Sequence, residues 1–132
     1  MFRLDGRQNV PIYEQVVRRV KELTLRGVLK PGDKLPTVRE LSAMIVANPN
    51  TVSKAYQELE RSGVIETRPG KGTFVAERIR VEPDERIKAD LRERLWPVVV
   101  DAVYFGVRLK EFEAWVREAF NELGGESGEP KA

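Results

Sequence analysis

The chain contains neither cysteine nor histidine. Without cysteine there is no disulfide framework and no thiolate metal site. Without histidine the chain lacks the side chain that most often acts as a general base and most often binds a metal. The serines and lysines also form no arrangement typical of nucleophilic catalysis. The composition therefore argues against an enzyme, and no catalytic residue, metal or cofactor is predicted.

Long apolar runs are missing as well. No stretch of about 18 or more apolar residues occurs, so no membrane-spanning helix is predicted. Residues 1–10 lack the apolar stretch of a signal peptide. A hydrophobic content of 41% is nevertheless enough for a packed core. These features predict a globular, cytoplasmic protein with no membrane partner.

The charges are nearly balanced, because 23 basic and 21 acidic residues leave a net charge of +2. The two parts of the chain nevertheless differ. Residues 1–78 carry 14 basic and 9 acidic residues (14 − 9 = +5), whereas residues 79–132 carry 9 basic and 12 acidic residues (9 − 12 = −3). A basic first part suits phosphate binding, although chance variation in composition would explain the same difference.

Three helices are predicted in the first half of the chain. Pro11 suits the start of a helix whose apolar residues recur at helical spacing. A second helix starts at Thr37, because Thr37 and Glu40 have the spacing of a capping box. Asn48 is a favourable N-cap and Pro49 a favourable first residue for a third helix.

The sequence period changes after the third helix, which ends at Gly63. Residues 64–68 and 73–76 have the pattern of two strands, and residues 69–72 have the proline and glycines of a tight turn. This predicts a small hairpin whose glycine-rich tip carries Lys71.

Helical spacing returns from Pro83. Pro97 lies inside the apolar pattern and removes a backbone donor, so we expect either a kink or two abutting helices there. Gly106 interrupts the pattern, and a last amphipathic helix runs to Leu123. Residues 124–132 have the composition of a disordered tail.

Three helices followed by a two-stranded hairpin is the order of a winged helix-turn-helix. The predicted fold class is α+β and mostly α. Residues 1–78 are predicted to form the winged helix-turn-helix domain that binds DNA. Residues 79–123 are predicted to form a short helical region for dimerisation.

The outward face of the third helix is polar. Asn50, Lys54 and Gln57 lie opposite its apolar stripe, with Thr51 and Ser53 beside them. Such groups hydrogen-bond to base edges and phosphates in the major groove. Taken singly, several of them are also ordinary residues of a first helical turn.

Arg39 and the hairpin tip allow two interpretations each. Arg39 is either a DNA contact or a solvated charge near the start of the second helix. Lys71 is either a DNA contact or a solubilising turn residue, and Gly70 and Gly72 serve either a close approach or only the turn. The joint arrangement favours DNA binding, because all of these residues lie where a winged helix meets the DNA backbone.

Several motifs, in order and at matching spacing, resemble the GntR family of repressors. They are Pro11-Ile12-Tyr13-Glu14-Gln15, Leu35-Pro36-Thr37-Val38-Arg39-Glu40-Leu41, Asn48-Pro49-Asn50-Thr51-Val52, Ala55-Tyr56-Gln57-Glu58-Leu59-Glu60, Gly63-Val64-Ile65 and Gly70-Lys71-Gly72-Thr73-Phe74-Val75. The resemblance covers residues 9–77. The short remainder resembles the YtrA-type subfamily, whose small helical region mediates dimerisation.

The resemblance implies a transcription regulator, with repression favoured over activation, that binds double-stranded operator DNA. Seven residues are predicted to form the DNA-binding site: Arg39, Asn50, Thr51, Ser53, Lys54, Gly70 and Lys71. The resemblance implies that the first contacts a phosphate or base edge and that the next three lie in or beside the major groove. It implies that the two hairpin residues reach the minor groove or its flanking phosphates. Lys54 is added from helical geometry rather than from the family.

The chain departs from the family pattern at four places. Relatives usually have Gly-Val where this chain has Val46 and Ala47, and a valine does not readily take a positive φ. This puts the geometry of the turn and the docking angle of the third helix in question. Thr37 replaces a usual Ser, Ser53 stands where other members often have Arg, and Arg108 stands where relatives often have a Ser or Thr cap.

The C-terminal helices carry more apolar surface than they can bury by themselves, including Trp96 and Trp115. A homodimer is therefore expected, and a two-fold protein matches a palindromic operator whose half-sites lie about 34 Å apart. Packing of both helices back onto the winged helix in a monomer is the alternative. The tryptophans would otherwise line a small ligand site, but the segment is too short for a large effector pocket of roughly 300–1,000 Å³. The sequence leaves a small-molecule effector unknown.

A protein-interaction module is the alternative from another functional class, since winged helices sometimes bind proteins only. The polar, cationic outer stripe of the third helix argues against it. Salt dependence distinguishes the two hypotheses, because phosphate neutralisation makes binding fall steeply with salt.

Overall fold

The computed structural model describes Phe2, Leu4, residues 10–77 and residues 84–125. The described residues form five helices and one two-stranded sheet. In chain order the elements are α1 (Ile12–Leu25), α2 (Val38–Ile45), α3 (Pro49–Arg61), β1 (Ile65–Arg68), β2 (Gly72–Val75), α4 (Glu85–Tyr104) and α5 (Leu109–Leu123). The predicted fold class, mostly α with a winged helix-turn-helix at the N-terminus, is confirmed.

The chain divides into two compact units, Met1–Arg80 and Val81–Ala132. The predicted boundary between residues 78 and 79 lies outside the described residues. So do residues 126–132, which make up most of the predicted tail.

α2 and α3 begin where the local sequence favours a cap, whereas Pro11, the N-cap of α1, makes no side-chain hydrogen bond to the first turn. The Thr37 hydroxyl accepts a hydrogen bond from the Glu40 backbone N–H, and the Glu40 carboxylate accepts one from the Thr37 N–H, both at 3.0 Å. This reciprocal pair is the predicted capping box, and it satisfies two backbone donors that a helix start leaves unpaired.

One apolar core holds the first unit together. Its members come from every element of the unit and from the loop before α2: Phe2, Val16, Val20, Leu23, Leu29, Leu35, Leu41, Val52, Ala55, Tyr56, Leu59, Ile65 and Val75. The four residues predicted as the apolar stripe of α3 are all among them. Because α3 buries this stripe against α1 and α2, its opposite face is fixed toward solvent.

The wing is a hairpin with a third segment at its edge. β1 and β2 are antiparallel, with the register running from Ile65 opposite Val75 to Arg68 opposite Gly72. The loop before α2 adds to β2, because the Leu35 N–H donates to the Thr73 oxygen and the Val75 N–H to the Asp33 oxygen, both at 2.8 Å. The hairpin is therefore attached to the body of the unit along β2.

The turn between α2 and α3 places its valine in a positive-φ conformation. Val46 ends α2 in the left-handed conformation, with φ 53° and ψ 58°. Its side chain is 91% exposed, so no packing compensates for this backbone. The left-handed region costs an L-residue about 1–2 kcal/mol, which the turn sustains because α2 and α3 are both fixed by the core.

The second unit consists of α4, α5 and the turn between them. Asp84 caps α4, since its carboxylate accepts the Ile87 N–H at 2.8 Å. Of the two outcomes predicted at Pro97, a division into two helices does not occur: α4 continues through it. Proline removes only one backbone donor, so the remaining hydrogen bonds hold the helix together.

α5 begins with a weak cap and ends with a strong one. Arg108 occupies the N-cap position without a side-chain hydrogen bond to the first turn. Gly124 ends the helix in the left-handed conformation, and the Gly125 N–H donates to the Phe120 oxygen at 2.8 Å. Within the described parts of the chain, no helix is both long enough and apolar enough to cross a bilayer.

Candidate nucleic-acid interface

The N-terminal half of α3 presents hydrogen-bonding side chains to solvent. The Asn48 side chain accepts the Asn50 N–H at 2.8 Å, and Pro49 occupies the first turn, so the start of the helix is well defined. Asn50 and Lys54 are exposed, as is Gln57 one turn further on. The side chains of this face are exposed and can donate and accept the hydrogen bonds that contact with base edges requires.

Thr51 and Ser53 flank that face and are half-buried. They lie on the borders between the outward face and the core-facing stripe of α3. Short hydroxyl side chains in such positions reach phosphates or the rim of a groove more easily than its floor. The structure thus places four of the predicted site residues, Asn50, Thr51, Ser53 and Lys54, on the first two turns of one helix.

The Lys54 ammonium rests on an aromatic ring of α1. Its Nζ lies 4.9 Å from the centroid of the Tyr13 ring. A cation–π contact at an exposed site is worth about 0.5–1 kcal/mol. This is enough to favour one position of the lysine, but little enough for the lysine to leave the ring and contact another group. Tyr13 was not among the predicted site residues. Its place in the family-like opening motif was the signal, but the contact itself depends on how α1 packs against α3.

Arg39 lies in the first turn of α2 and is exposed. Its neighbour Glu40 is engaged in the capping box with Thr37, and the hydrogen bonds from Thr37 lower the pKa of the Glu40 carboxyl. Among the residues that the structure describes, Arg39 has no ion pair or hydrogen bond. Its charge is therefore available to an anion.

The wing ends in a tight turn that exposes Lys71. The Lys71 N–H donates to the Arg68 oxygen at 2.9 Å, closing a four-residue turn. Pro69 precedes Gly70, whose φ is 75°, the pattern of a type II turn. A side chain at Gly70 would be strained by this backbone, and its absence leaves the tip narrow. Gly70 and Lys71 are both exposed.

A hydrogen bond joins α3 to the wing. The Thr67 hydroxyl on β1 donates to the Glu60 carboxylate on α3 at 2.6 Å. Two residues before Glu60, Glu58 accepts two hydrogen bonds from the Arg61 guanidinium at 2.6 and 2.9 Å. These hydrogen bonds lower the pKa of the Glu58 carboxyl. Sequence reasoning did not identify the Glu60–Thr67 pair, since its members belong to different elements.

The charges of α3 are therefore ordered along its length. Its two carboxylates, Glu58 and Glu60, lie in the last turns and are engaged by neighbouring side chains, whereas Asn50 and Lys54 lie in the first two turns. Backbone N–H groups and the helix dipole also favour an anion at the N-terminal end. The first half of α3 is therefore the half that favours an anion.

Comparison with known proteins gives the family. The model of the gntR family of bacterial regulatory proteins matches residues 12–75, which span α1 to β2. The HTH-type transcriptional repressor YtrA of Bacillus subtilis (strain 168) is 47% identical over 125 residues, covering 95% of this chain and 96% of that protein. The predicted YtrA-type resemblance is confirmed.

Solved structures agree with this assignment. A transcriptional antiterminator from Listeria monocytogenes EGD-e is 41% identical with a TM-score of 0.84, covering 98% of both chains. The DNA-binding domain of AraR, solved in complex with operator ORX1, is 30% identical with a TM-score of 0.50, covering 56% of this chain and 93% of that one. The chain belongs to the GntR family of bacterial regulatory proteins, within which it is of the YtrA type.

Proposed function

We propose that the chain is a transcriptional repressor that binds a palindromic operator as a homodimer through its winged helix-turn-helix. The observation that carries the proposal is that Arg39, Lys71 and the outward polar face in the first half of α3 are all exposed on the first unit, where DNA can reach them. Two unpaired cations and a row of exposed amides belong to one compact unit, with the nearby carboxylates engaged elsewhere. This is the chemistry that phosphates and base edges require.

Each predicted site residue has a role in this proposal. Asn50 reads a base edge in the major groove, and Lys54 leaves the Tyr13 ring to reach a guanine or a phosphate. Thr51 and Ser53 contact phosphates or bases at the borders of the groove. Two further contacts complete the interface. Arg39 contacts a phosphate or base edge from α2, and the tip residues Gly70 and Lys71 bring the wing to the minor groove.

Repression is the regulatory outcome that the relatives support. YtrA of Bacillus subtilis is named a repressor and matches nearly the whole length of this chain. AraR, whose DNA-binding domain resembles the first unit, was solved on operator DNA. A protein seated on an operator represses when it excludes the polymerase, which needs no catalytic centre.

The homodimer is supported by what α4 and α5 leave uncovered. Neither helix has a single buried residue. Large apolar side chains with exposed fractions between 42% and 80% occur on both: Ile87, Leu91, Leu95, Trp96, Val98, Val100, Val103, Tyr104, Leu109, Trp115, Val116 and Phe120. An uncovered surface of this extent is typical of an interface rather than of a monomer.

A second copy of the chain is the occupant that fits this surface. α5 has an apolar stripe at helical spacing, with Phe112, Val116 and Phe120 on it, and a charged opposite face. Self-association of such stripes buries both copies at once and gives two-fold symmetry. Two-fold symmetry in turn suits a palindrome with half-sites about 34 Å apart.

The DNA-binding face is tested with Arg39→Ala and Lys71→Ala in titrations against a duplex from the promoter upstream of the gene for this chain. Each variant removes an exposed cation, so binding should weaken while the melting temperature stays unchanged. Arg92→Ala, which removes an exposed cation of α4, is the matched control and should bind like wild type. Unchanged titration curves for both Arg39→Ala and Lys71→Ala would refute the assigned face.

The dimer is tested by sedimentation equilibrium of the full chain. Val116→Glu puts a charge into the apolar stripe of α5 and should shift the mass from dimer to monomer. Glu113→Gln changes the charged face of the same helix and should leave the mass unchanged. A wild-type chain that sediments as a monomer at micromolar concentration would refute the homodimer.

A further inference from the structure

Lys34 is an exposed lysine of the loop before α2, and it was not among the residues predicted to bind DNA. It belongs to the loop segment that adds to β2, where it forms an isolated bridge with Phe74. Its neighbour Leu35 is buried in the core. Because side chains alternate along an extended segment, Lys34 points away from the core, onto the outer face of the wing sheet.

The Lys34 side chain lies across the glycine at the start of β2. A Cβ built on Gly72 would be 3.0 Å from the Lys34 Cε and 3.7 Å from its Nζ. Gly72 also has a φ of 126°, which an L side chain rarely adopts. The ammonium is therefore held next to the turn that carries Gly70 and Lys71, and the glycine leaves it the room to lie there.

The same lysine is within electrostatic reach of the first turn of α2. The pKa of Glu40 is lowered mainly by its hydrogen bonds from Thr37, and the Lys34 charge contributes to this lowering. Glu40 follows Arg39 directly in α2. Lys34 therefore lies against the wing turn that carries Lys71, and its charge also acts on the first turn of α2, which carries Arg39.

Arg68 and Lys34, two cations on the outer face of the wing, differ in the contacts that their side chains make. The Arg68 guanidinium lies 4.3 Å from the centroid of the Phe74 ring, 2.8 Å from a Glu66 oxygen and 3.8 Å from a Glu77 oxygen. Lys34, by contrast, has no ion pair or hydrogen bond among the residues that the structure describes. Arg68 is held by direct contacts with two carboxylates and a ring, whereas the Lys34 ammonium makes no direct contact with a carboxylate among the described residues.

We infer that Lys34 contacts a DNA phosphate beside the wing turn and adds a third cation to the DNA-binding face proposed for Arg39 and Lys71. The inference rests on the proposed function, since it names a further residue of the same DNA-binding face. A lysine at this place serves as a point charge for the backbone and carries no base specificity. Gly72 supports the contact by letting the lysine stem cross the wing turn.

The test is a set of salt titrations with a labelled duplex that the wild-type protein enriches from a random-sequence pool. The slope of log K against log salt is negative, and Lys34→Gln should make it shallower by about 0.9 per protomer, because one phosphate contact is lost. At about 0.1 M salt this corresponds to a loss of affinity of roughly five- to tenfold per protomer. Lys34→Arg keeps the charge and should retain most of the slope.

Two control variants make the result specific. Lys30→Gln removes an exposed lysine from the same loop, near the end of the wing sheet remote from its tip, and should bind like wild type. Arg68→Gln removes the cation of the outer face that two carboxylates contact, and it should change the slope far less than Lys34→Gln. Circular dichroism melts of all variants show whether any loss of affinity arises from unfolding.

The outcomes separate this inference from the proposed function. A wild-type chain that enriches no duplex and shows no salt-dependent binding would overturn both. A wild-type chain that binds with a steep slope, while Lys34→Gln and Lys30→Gln remain indistinguishable from it, would overturn the Lys34 contact alone. An equal loss of slope in Lys34→Arg and Lys34→Gln would likewise contradict a contact made through charge.

Discussion

The Tyr56 hydroxyl donates a hydrogen bond to the Pro36 carbonyl oxygen across 2.7 Å. Tyr56 lies in the middle of α3 with its side chain in the core, and Pro36 directly precedes the capping box of α2. This bond joins the helix proposed to enter the major groove to the residue that precedes the N-cap of α2, the helix that carries Arg39. The relative position of the two helices proposed to bind DNA therefore depends on a buried side-chain contact as well as on the turn between them.

Tyr56→Phe removes this bond while it keeps the ring in the core. The Pro36 carbonyl loses its partner, so the free energy of unfolding should fall by about 1–2 kcal/mol. Urea unfolding followed by circular dichroism measures the change. Tyr13→Phe is the control, because no hydrogen bond of the Tyr13 hydroxyl occurs among the described residues, and its stability should match wild type. Equal stability of Tyr56→Phe and wild type would show that the bond contributes nothing.

The same tyrosine should make stability depend on alkaline pH. Burial, reinforced by the Glu40 charge, raises the pKa of Tyr56 well above its ordinary value of 10.0. The unfolded chain ionises this phenol first, so its contribution is fully present below pH 10.0 and is lost as the pH rises toward the folded-state pKa. Thermal melts between about pH 9 and pH 11 should show a steeper loss for wild type than for Tyr56→Phe. Parallel curves would contradict the raised pKa.

Val46→Gly should stabilise the protein. Glycine adopts the left-handed conformation of this turn without the clash of a β-branched side chain, and the exposed valine gives up little packing. The expected gain in the free energy of unfolding is about 1 kcal/mol, since the greater freedom of the unfolded glycine offsets part of the relief. Met44→Gly, at an exposed position inside α2, should instead destabilise by about 1 kcal/mol. A destabilised Val46→Gly would show that the valine carries a contact of its own.

Arg108→Ser should strengthen the start of α5. The Arg108 backbone already has the extended conformation of an N-cap, but its side chain makes no capping bond. A serine hydroxyl at this position should bond a free N–H of the first turn and add about 0.5–1 kcal/mol. Thermal melting followed at 222 nm, a wavelength for helix content, measures the effect of the two variants Arg108→Ser and Arg108→Ala. If both melt at the same temperature, the serine is not acting as a cap.

The locally encoded parts of the fold were predictable from the sequence. The capping box of Thr37 and Glu40 forms as its spacing indicated, and Asn48 and Pro49 start α3. These features depend on residues within one helical turn, where propensity and hydrogen bonding decide the backbone. The predicted turn of the hairpin formed for the same reason.

The parts that depend on contacts between elements were not predictable. Nothing in the local pattern of Lys34 indicates that its segment adds to β2, and nothing near Lys54 indicates the Tyr13 ring beneath its ammonium. Val46 adopts a conformation that its own side chain disfavours, because the packing of α2 and α3 outweighs the local cost. Pro97 sits within a continuous α4 because one missing donor does not end a long helix.

The most direct test of the account is fluorescence anisotropy of a labelled duplex from the promoter upstream of the gene for this chain, compared with a scrambled duplex. Both are titrated at about 50 mM and 200 mM salt, a range over which phosphate contacts lose much of their strength. A DNA-reading regulator should bind the promoter duplex tightly and the scrambled one weakly, and it should lose affinity steeply at the higher salt concentration. Absence of binding to either duplex at the lower salt concentration would contradict DNA binding and favour a protein partner for the winged helix.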